Sequence, residues 1–377
     1  MLYTKCLILR LMKIIVTHTS PDLDAITSIW LIRKFLPGWE DAVVKFVPAG
    51  ERLSTLRSLR QFNEVARGPV RSFPPASAPL VSLRAERVRA VGSLSTFATP
   101  RSSHAESPRA LEPIEIIGED EVIHVDTGLG PLDHHQTASD KVCAASLTWE
   151  YVKAQSVKRK VQNLREDKKR DREEAIDRMV KVVVDVDHFK EVFWEDTTAD
   201  YHEFSIGSVL DGLKFAKPSQ AFGSETQARG DKYYMEFIIE CLDAILHEFE
   251  NRIWAEKEIT ENGIEFATRF GKGMGFETIN DSVLKLAQKM GYVVVVRKDP
   301  RKGYVRIKAL PNKAPRAGKQ IDIDLTLAYE KLKKMDPSAT WFLHIGKKML
   351  LNGSVKNPKM RPTSLSLNDI IKVLEKI

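Results

Sequence analysis

The sequence predicts an α/β fold with a parallel sheet in its first half, followed by a smaller α+β domain. Residues 13–18 contain the β-branched run Ile14 to Thr17 and end at His18, which indicates a buried strand. Residues 25–36 favour a helix that ends at Pro37 and Gly38, and residues 42–47 favour a second strand. Because strand, helix and strand follow one another at this spacing, we expect parallel strands with helices on both faces of the sheet.

Three further segments belong to this first domain. Residues 121–126 predict a strand that ends in Asp126, and a helix is predicted around residues 144–155. Residues 157–178 are densely charged and lack a broad apolar face, which indicates an exposed helix or a spacer. Residues 179–186 are apolar and β-branched, and this pattern leaves both helix and strand open.

The segment from about residue 52 to 113 interrupts the pattern. It is rich in Arg, Ser, Ala and Pro, and it contains no lysine. We expect a disordered insertion, and the alternative is an arginine-rich arm that binds nucleic acid. The catalytic domain is predicted over residues 12–199, with this insertion inside it.

The second domain is predicted over residues 200–377. Residues 200–262 carry apolar side chains at helical spacing. The other predicted elements are strands at 292–297, 304–310 and 340–345, a helix at 325–335 and a terminal helix from Asn368.

Composition limits the class of protein. Of 377 residues, 43% are hydrophobic, and no apolar run approaches the ~18 residues of a membrane span. Cys6, Cys143 and Cys241 are too widely spaced for a disulfide framework or a zinc motif, so we expect a cytoplasmic protein. The net charge of +7 suits a polyanion such as nucleic acid or a nucleotide. A homodimer is compatible with the sequence.

Histidines and aspartates gather at or just after the ends of predicted strands. In an open α/β sheet this edge binds ligands. Carboxylates crowded there repel one another unless cations neutralise them, and mixed His/Asp ligands suit two Mn²⁺ ions, with Mg²⁺ or Co²⁺ as alternatives. Two such ions can activate a water for phosphoester hydrolysis. The residues are His18, Asp22, Asp24, Asp126, Asp133, His134, His135, and Asp185 or Asp187.

Each of these residues also has an ordinary structural interpretation. His18 alone is compatible with a core histidine, and Asp126 with a turn residue. One of Asp22 and Asp24 is expected to cap the helix that follows. Adjacent histidines beside Asp133 are harder to explain structurally, so the joint occurrence in this order favours a metal site.

The same residues resemble the motifs of the DHH phosphoesterase superfamily. His18 to Ile26 (HTSPDLDAI) resembles its first motif, Asp126 in Val-Asp-Thr-Gly its second, and Asp133-His134-His135 the signature that gives the superfamily its name. Its members include RecJ exonucleases, oligoribonucleases, cyclic-dinucleotide phosphodiesterases and family II pyrophosphatases. The resemblance covers roughly residues 13–150 and implies a parallel-sheet DHH-type domain.

The resemblance implies a role for each residue. His18, Asp22, Asp126 and a fourth aspartate would hold one ion, and Asp24, Asp126, His134 and the same aspartate the other. Asp126 would bridge the two ions. Asp133 would orient His134, and His135 would contact the scissile phosphate. Asp185 and Asp187 both fit the fourth position, and Asp187 is slightly favoured.

Within the superfamily, the chain is most similar to the MYG exonuclease-like branch. The similarity lies in Gln136 after the histidine pair, in Asp185 with Asp187, and in residues 341–344 (WFLH). It implies 3′–5′ exonuclease activity on RNA. Pyrophosphatase, cyclic-dinucleotide hydrolase and a non-catalytic nucleotide-binding protein are the alternatives.

A basic stretch of the second domain is predicted to bind substrate phosphates. A solvated loop is the alternative interpretation. Lysine supplies a point charge for such an anion. The glycine-rich motif of RecJ-type second domains has only approximate counterparts here, which leaves the substrate open. The candidate residues are His344, Lys347, Lys348, Ser354 and Lys356.

Overall fold

A computed structural model describes residues 11–53, 112–158, 166–216, 224–312, 322–354 and 356–377. Most of the predicted insertion, residues 54–111, lies outside the described residues. The described chain is mixed α/β and divides into two compact units. The first unit holds residues up to 158 together with 180–240, and the second holds 166–179 and the residues from 241 onward. The sequence places the domain boundary after residue 199, whereas the contacts group residues 200–240 with the first unit.

The sheet of the first unit is mixed. Its strands are β1 (Lys13–His18), β2 (Val43–Val47), β3 (Ile114–Ile117) and β4 (Asp120–His124), in the order β2-β1-β4-β3. The middle strand β1 runs parallel to both β2 and β4, with Ile15 opposite Val44 and Ile123. The edge strand β3 is antiparallel to β4. The three strands that the sequence predicts here, β1, β2 and β4, are therefore parallel, and their carboxyl ends lie at one edge of the sheet.

Two helices of the first unit form a packed pair. They are α1 (Leu23–Phe35) and α2 (Ala144–Lys158), which pack against each other. Every residue from Leu23 to Ile32 is buried, so α1 is a core helix rather than an amphipathic surface helix. At the end of this packing, the ring of Phe35 lies edge-on to Trp149 at 5.8 Å.

Three further segments are also helical: α3 (Glu166–Asp187), α4 (Ile206–Ala216) and α5 (Ser224–Asn262). Two single-turn 3₁₀ helices, Lys190–Phe193 and Asp200–Phe204, lie between α3 and α4. The apolar segment 179–186, for which the sequence leaves helix and strand open, belongs to α3. Among the helices that the structure describes, none combines the length and the apolarity that a bilayer-spanning segment needs.

The second unit contains a six-stranded mixed sheet. The strands are β5 (Ile264–Thr268), β6 (Gly271–Glu277), β7 (Val294–Lys298), β8 (Val305–Ala309), β9 (Trp341–Leu343) and β10 (Met349–Asn352), in the order β5-β6-β7-β8-β10-β9. The helices are α6 (Ser282–Lys289), α7 (Thr326–Met335) and α8 (Leu367–Leu374). The predicted pairing of β7 with β8 is confirmed, with Val296 opposite Ile307. In this unit, strands β5, β6 and β10 and helix α6 were not predicted from the sequence.

Candidate metal centre

Four segments of the first unit bring carboxylates and imidazoles together beside the carboxyl ends of β1 and β4. The first segment runs from β1 into α1, and the second is the turn after β4. The third is the loop before α2, and the fourth is the last turn of α3. They contribute, in that order, His18, Asp22 and Asp24; Asp126; Asp133, His134 and His135; and Asp187.

The ligand atoms of these residues form three compact groups. Within each group, the imidazole nitrogens and carboxylate oxygens lie within 4.8 Å of one another. Two groups share Asp126, as a bridging ligand would. The groups are His18 with Asp22 and Asp126; Asp24 with His134 and Asp187; and Asp126 with Asp133, His134 and His135.

Asp126 occupies the centre of the cluster. Its Oδ2 lies 3.2 Å from His18 Nε2, and the same nitrogen lies 3.9 Å from Asp22 Oδ2. Its Oδ1 lies 3.6 Å from the Nδ1 of both His134 and His135. One carboxylate thus faces histidines on two sides.

His134 connects Asp126 to the second group. Its Nδ1 lies 3.5 Å from Asp24 Oδ2, and its Nε2 lies 3.2 Å from Asp187 Oδ2. The ring of His135 stacks on that of His134, with 4.4 Å between ring centroids. Both nitrogens of His134 therefore point at carboxylates from helices that are far apart in sequence.

The backbone of Asp126 is left-handed, with φ 52°. A residue other than glycine adopts this backbone conformation only at a cost in free energy, and such backbone strain is concentrated at functional sites. The neighbouring hydrogen bonds hold it: Val125 N donates to Val16 O at 2.9 Å, and Asp126 N to Leu132 O at 3.1 Å. Since β4 ends just before this turn, the strained residue aims its carboxylate across the edge of the sheet.

Two helix N-termini support the acidic groups. Asp22 is the N-cap of α1, and its Oδ1 accepts a hydrogen bond from Ala25 N at 2.9 Å. Asp24 caps a different helix, because its two oxygens accept hydrogen bonds from Ala144 N and Ala145 N of α2, both at 2.7 Å. The positive ends of both helices favour negative charge at the cluster.

Burial changes the proton affinity of the cluster. Burial raises the pKa of Asp24, and the charge of Asp126 raises it further. Burial likewise raises the pKa of Asp126 and of Asp187. For His18, burial is the largest effect and opposes the charged form. The hydrogen bonds to Asp126 and to Thr19 O and the charges of Asp22 and Asp126 together outweigh it and raise the pKa to about 9. Burial and mutual repulsion therefore destabilise the ionised carboxylates, and a bound cation would offset this effect.

Several atoms of the cluster are buried without a hydrogen-bond partner among the described residues. They are Asp126 Oδ1, His134 Nδ1 and Asp187 Oδ2. Asp187 Oδ2 lies close to His134 Nε2 without forming a hydrogen bond, so proximity alone does not satisfy these atoms. A buried acceptor without a partner costs free energy unless something else binds it. Carboxylate and imidazole donors fit a Mn²⁺-type ion at both three-residue groups.

Asp133 has a different partner from the one that the resemblance implies. Its Oδ1 accepts hydrogen bonds from His135 N at 3.0 Å and from His135 Nδ1 at 2.7 Å, and its Oδ2 accepts one from Leu129 N at 2.7 Å. Its hydrogen bonds therefore position His135 and the loop, not His134. Burial opposes a charged His135, but the bond to Asp133 raises the pKa of this imidazole.

The structure distinguishes between the two aspartates at the end of α3. Asp187 joins the cluster, whereas Asp185 belongs to none of the three groups. His188, which the sequence did not single out, lies beside them. Its Nε2 donates to Val142 O at 2.9 Å, and its ring lies edge-on to His134 at 5.9 Å. His188 thus ties the end of α3 to the loop before α2.

A second residue that the sequence did not single out is Asp231 of α5. It is buried, and its Oδ2 accepts a hydrogen bond from Ser20 N at 3.0 Å. Ser20 lies between His18 and Asp22 and has a left-handed backbone, with φ 55°. Asp231 therefore holds the turn that presents two predicted ligands. The contact spans 211 residues, and no local pattern signals it.

The predicted substrate-binding residues lie in the second unit, around the turn between β9 and β10 and just after β10. The two lysines pair with carboxylates, Lys347 Nζ with Asp324 at 2.8 Å and Lys348 Nζ with Asp322 at 2.6 Å. The other three make local contacts: His344 Nδ1 accepts from Gly346 N, and Ser354 Oγ accepts from Lys356 N. Binding of phosphate by these residues stays a prediction.

No protein-family model and no curated protein matches this sequence. The geometry of the cluster is therefore the main support for a function.

Proposed function

We propose that this chain is a divalent-metal-dependent phosphoesterase that hydrolyses phosphodiester bonds of RNA, short oligonucleotides or nucleotides. One observation carries the proposal. Asp126, His134 and Asp187 present buried polar atoms without hydrogen-bond partners among the described residues, inside groups whose ligand atoms lie within 4.8 Å of one another. Two Mn²⁺-type ions would satisfy these atoms and offset the crowded negative charge.

The ions would supply a water of lowered pKa and a positive field for the phosphate oxygens. His18, Asp22 and Asp126 would hold one ion, and Asp24, His134 and Asp187 would hold the other. Asp231 and the N–H groups of Ala144 and Ala145 keep these ligands in place.

His135 has a separate role in the proposal. Its side chain is 58% exposed, and Asp133 favours its protonated form. An exposed imidazolium beside the cluster can donate to a phosphate oxygen, as the resemblance implies.

The resemblance to the DHH superfamily supports this class of activity. The motif residues taken from it occupy one edge of three parallel strands, where ligands of open α/β sheets bind. The similarity to the MYG branch favours RNA as the substrate, and the three widely spaced cysteines favour a cytoplasmic location. Pyrophosphate and cyclic dinucleotides are alternative substrates, and a nucleotide-binding protein without catalytic activity is the alternative outside enzymes.

A substrate panel tests the proposal. Purified protein is incubated with Mn²⁺, Mg²⁺ or Co²⁺ and with short RNA, short DNA, a cyclic dinucleotide or pyrophosphate, and the products are identified. We expect Mn²⁺-dependent cleavage of RNA that Asp126→Asn and His134→Ala reduce by at least about 100-fold, within the range for loss of a group that stabilises the transition state. Asp185→Asn, on the same helix as Asp187 but outside the cluster, is the matched control. Full activity of the Asp126→Asn variant would refute the proposal.

A further inference from the structure

A cavity of about 290 Å³ opens directly beside the candidate metal centre. Its volume is near the lower limit of the roughly 300–1,000 Å³ typical of small-molecule sites. Asp22, Asp24 and Asp187 form one part of its wall. Phe189 and Glu191 belong to the rest of the wall. A ligand in this cavity would touch the predicted metal ligands and these two side chains at once.

Phe189 has two unusual features. Its backbone is left-handed, with φ 55°, which is uncommon for a bulky side chain. Its N–H donates to Val186 O at 3.0 Å as α3 ends. The ring is nevertheless 75% exposed, so the strained conformation does not serve to bury it. A left-handed backbone that displays an aromatic ring two residues after a predicted metal ligand is a strained conformation of the kind that clusters at ligand-binding sites.

Glu191 is an acidic residue of the same wall. Its Oε2 is buried and has no hydrogen-bond partner among the described residues. Such an oxygen is stabilised by a ligand that offers an N–H donor. None of the described residues that line the cavity is a lysine or an arginine, and its acidic residues disfavour a phosphate there. A neutral, flat group with N–H donors fits better.

We propose that this cavity binds the nucleobase of the nucleotide whose phosphate lies at the metal centre. The base stacks on Phe189 and donates a hydrogen bond to Glu191. A nucleobase is neutral, has an aromatic face and carries N–H donors, and stacking on an aromatic side chain is a common mode of single-strand recognition. The inference rests on the proposed function, because the base belongs to the nucleotide whose phosphoester the metal centre would hydrolyse.

Hydrolysis of two matched substrates tests the inference. One is a short RNA, and the other is the same RNA with an abasic terminal nucleotide, both with Mn²⁺. We expect Phe189→Ala to raise KM for the intact RNA by about 5- to 150-fold, equivalent to 1–3 kcal/mol of stacking per base. KM for the abasic RNA should stay unchanged. Glu191→Gln should raise KM in the same selective way, by a smaller factor.

The control variant is Phe193→Ala. The ring of Phe193 is 84% exposed but does not belong to the wall of the cavity. Equal effects of Phe189→Ala on both substrates, or the same selective effect from Phe193→Ala, would overturn the inference.

A binding measurement separates this inference from the proposed function. Adenosine monophosphate is titrated into the Mn²⁺-loaded protein, and Mn²⁺ affinity is measured separately. If the wild-type protein cleaves nothing, the proposed phosphoesterase is wrong. Weaker nucleotide binding by Phe189→Ala at unchanged Mn²⁺ affinity would then still support the base site. Equal nucleotide binding by wild type and variant would reject it.

Discussion

The carboxylate of Asp231 accepts a hydrogen bond from the backbone N–H of Ser20, with 3.0 Å between Oδ2 and N. Lys214 Nζ donates to the carbonyl oxygen of the same residue at 3.3 Å. Two side chains, one from α4 and one from α5, therefore bind the backbone N–H and the backbone carbonyl of Ser20, whose backbone is left-handed. That residue lies in the turn between His18 and Asp22, so we regard Asp231 as a positioning residue for the metal centre.

The first prediction concerns Asp231. We expect Asp231→Ala to weaken Mn²⁺ binding by about 10- to 100-fold, the usual effect of losing a residue that orients metal ligands. Asp231→Asn keeps an acceptor for Ser20 N and should retain most of the affinity. Isothermal titration with Mn²⁺ measures both. Glu240→Ala, an exposed carboxylate of the same helix, is the control, and a loss of affinity there would argue for a general effect of charge.

The second prediction concerns the stability of the metal-free and metal-bound protein. Mn²⁺ at 100 times its Kd should stabilise the wild-type protein by about 2.7 kcal/mol, seen as a higher thermal midpoint. Asp126→Asn should abolish this shift. Without metal, the same variant should unfold at the same or a higher temperature, because it removes a buried charge near Asp24 and Asp187. Asp185→Asn should behave as wild type. If metal-free Asp126→Asn had a lower thermal midpoint than metal-free wild type, repulsion among the buried carboxylates would not be what destabilises the metal-free protein.

The third prediction concerns Asp336, which follows α7 in the second unit. Ser338 Oγ donates to its Oδ1 at 2.6 Å, and Thr363 Oγ1 donates to its Oδ2 at 2.7 Å. These bonds, with others from Ser364, hold the pKa of Asp336 well below its usual range. Because the folded pKa is depressed, the stabilisation is complete above the unfolded pKa of about 3.9 and is lost as pH falls towards the folded value.

Asp336→Asn should therefore lower the stability of the second unit by about 1–3 kcal/mol at pH 7. The difference from wild type should shrink below pH 4. Hydrogen exchange of the Thr363 and Ser364 amides at pH 7 and pH 3 is the measurement. An unchanged difference at the lower pH would mean that the charge of Asp336 is irrelevant.

The fourth prediction compares two glycines. A Cβ at Gly273 in β6 would lie 2.4 Å from the ring of Phe266 and 2.9 Å from Val294 O, so Gly273→Ala should destabilise by about 1–3 kcal/mol. A Cβ at Gly212 in α4 would meet nothing within 4 Å, and Gly212→Ala should stabilise by about 0.5–1 kcal/mol. Thermal unfolding of both variants gives the comparison, and equal signs would refute it.

The glycines also explain why the sequence did not predict strand β6. Strand β6 contains Gly271, Gly273 and Gly275, a composition that disfavours strands by propensity. The Phe266 ring fills the space above Gly273, so the pattern is a packing requirement that appears only in the sheet. By contrast, β1 contains the apolar run Ile14 to Val16 and β7 the run Val294 to Val296, and the sequence predicted both strands.

The choice between Asp185 and Asp187 depended on secondary structure. In a strand, residues two apart point to the same face, and both aspartates would have reached the cluster. In a helix they point about 200° apart, so only one can do so. The sequence left residues 179–186 open between helix and strand, and the long helix α3 brings Asp187 to His134 and leaves Asp185 outside the groups.

By itself, the sequence determined the identity of the candidate ligands, because short motifs at strand ends carry His18, Asp22, Asp126 and His134 in a recognisable order. It also determined that Asp22 or Asp24 would cap a helix. Only the tertiary structure decided that Asp24 caps α2, that Asp133 binds His135, and that Asp231 holds Ser20. These contacts join segments distant in the chain, and their hydrogen bonds depend on packing in three dimensions, which local residue patterns do not encode.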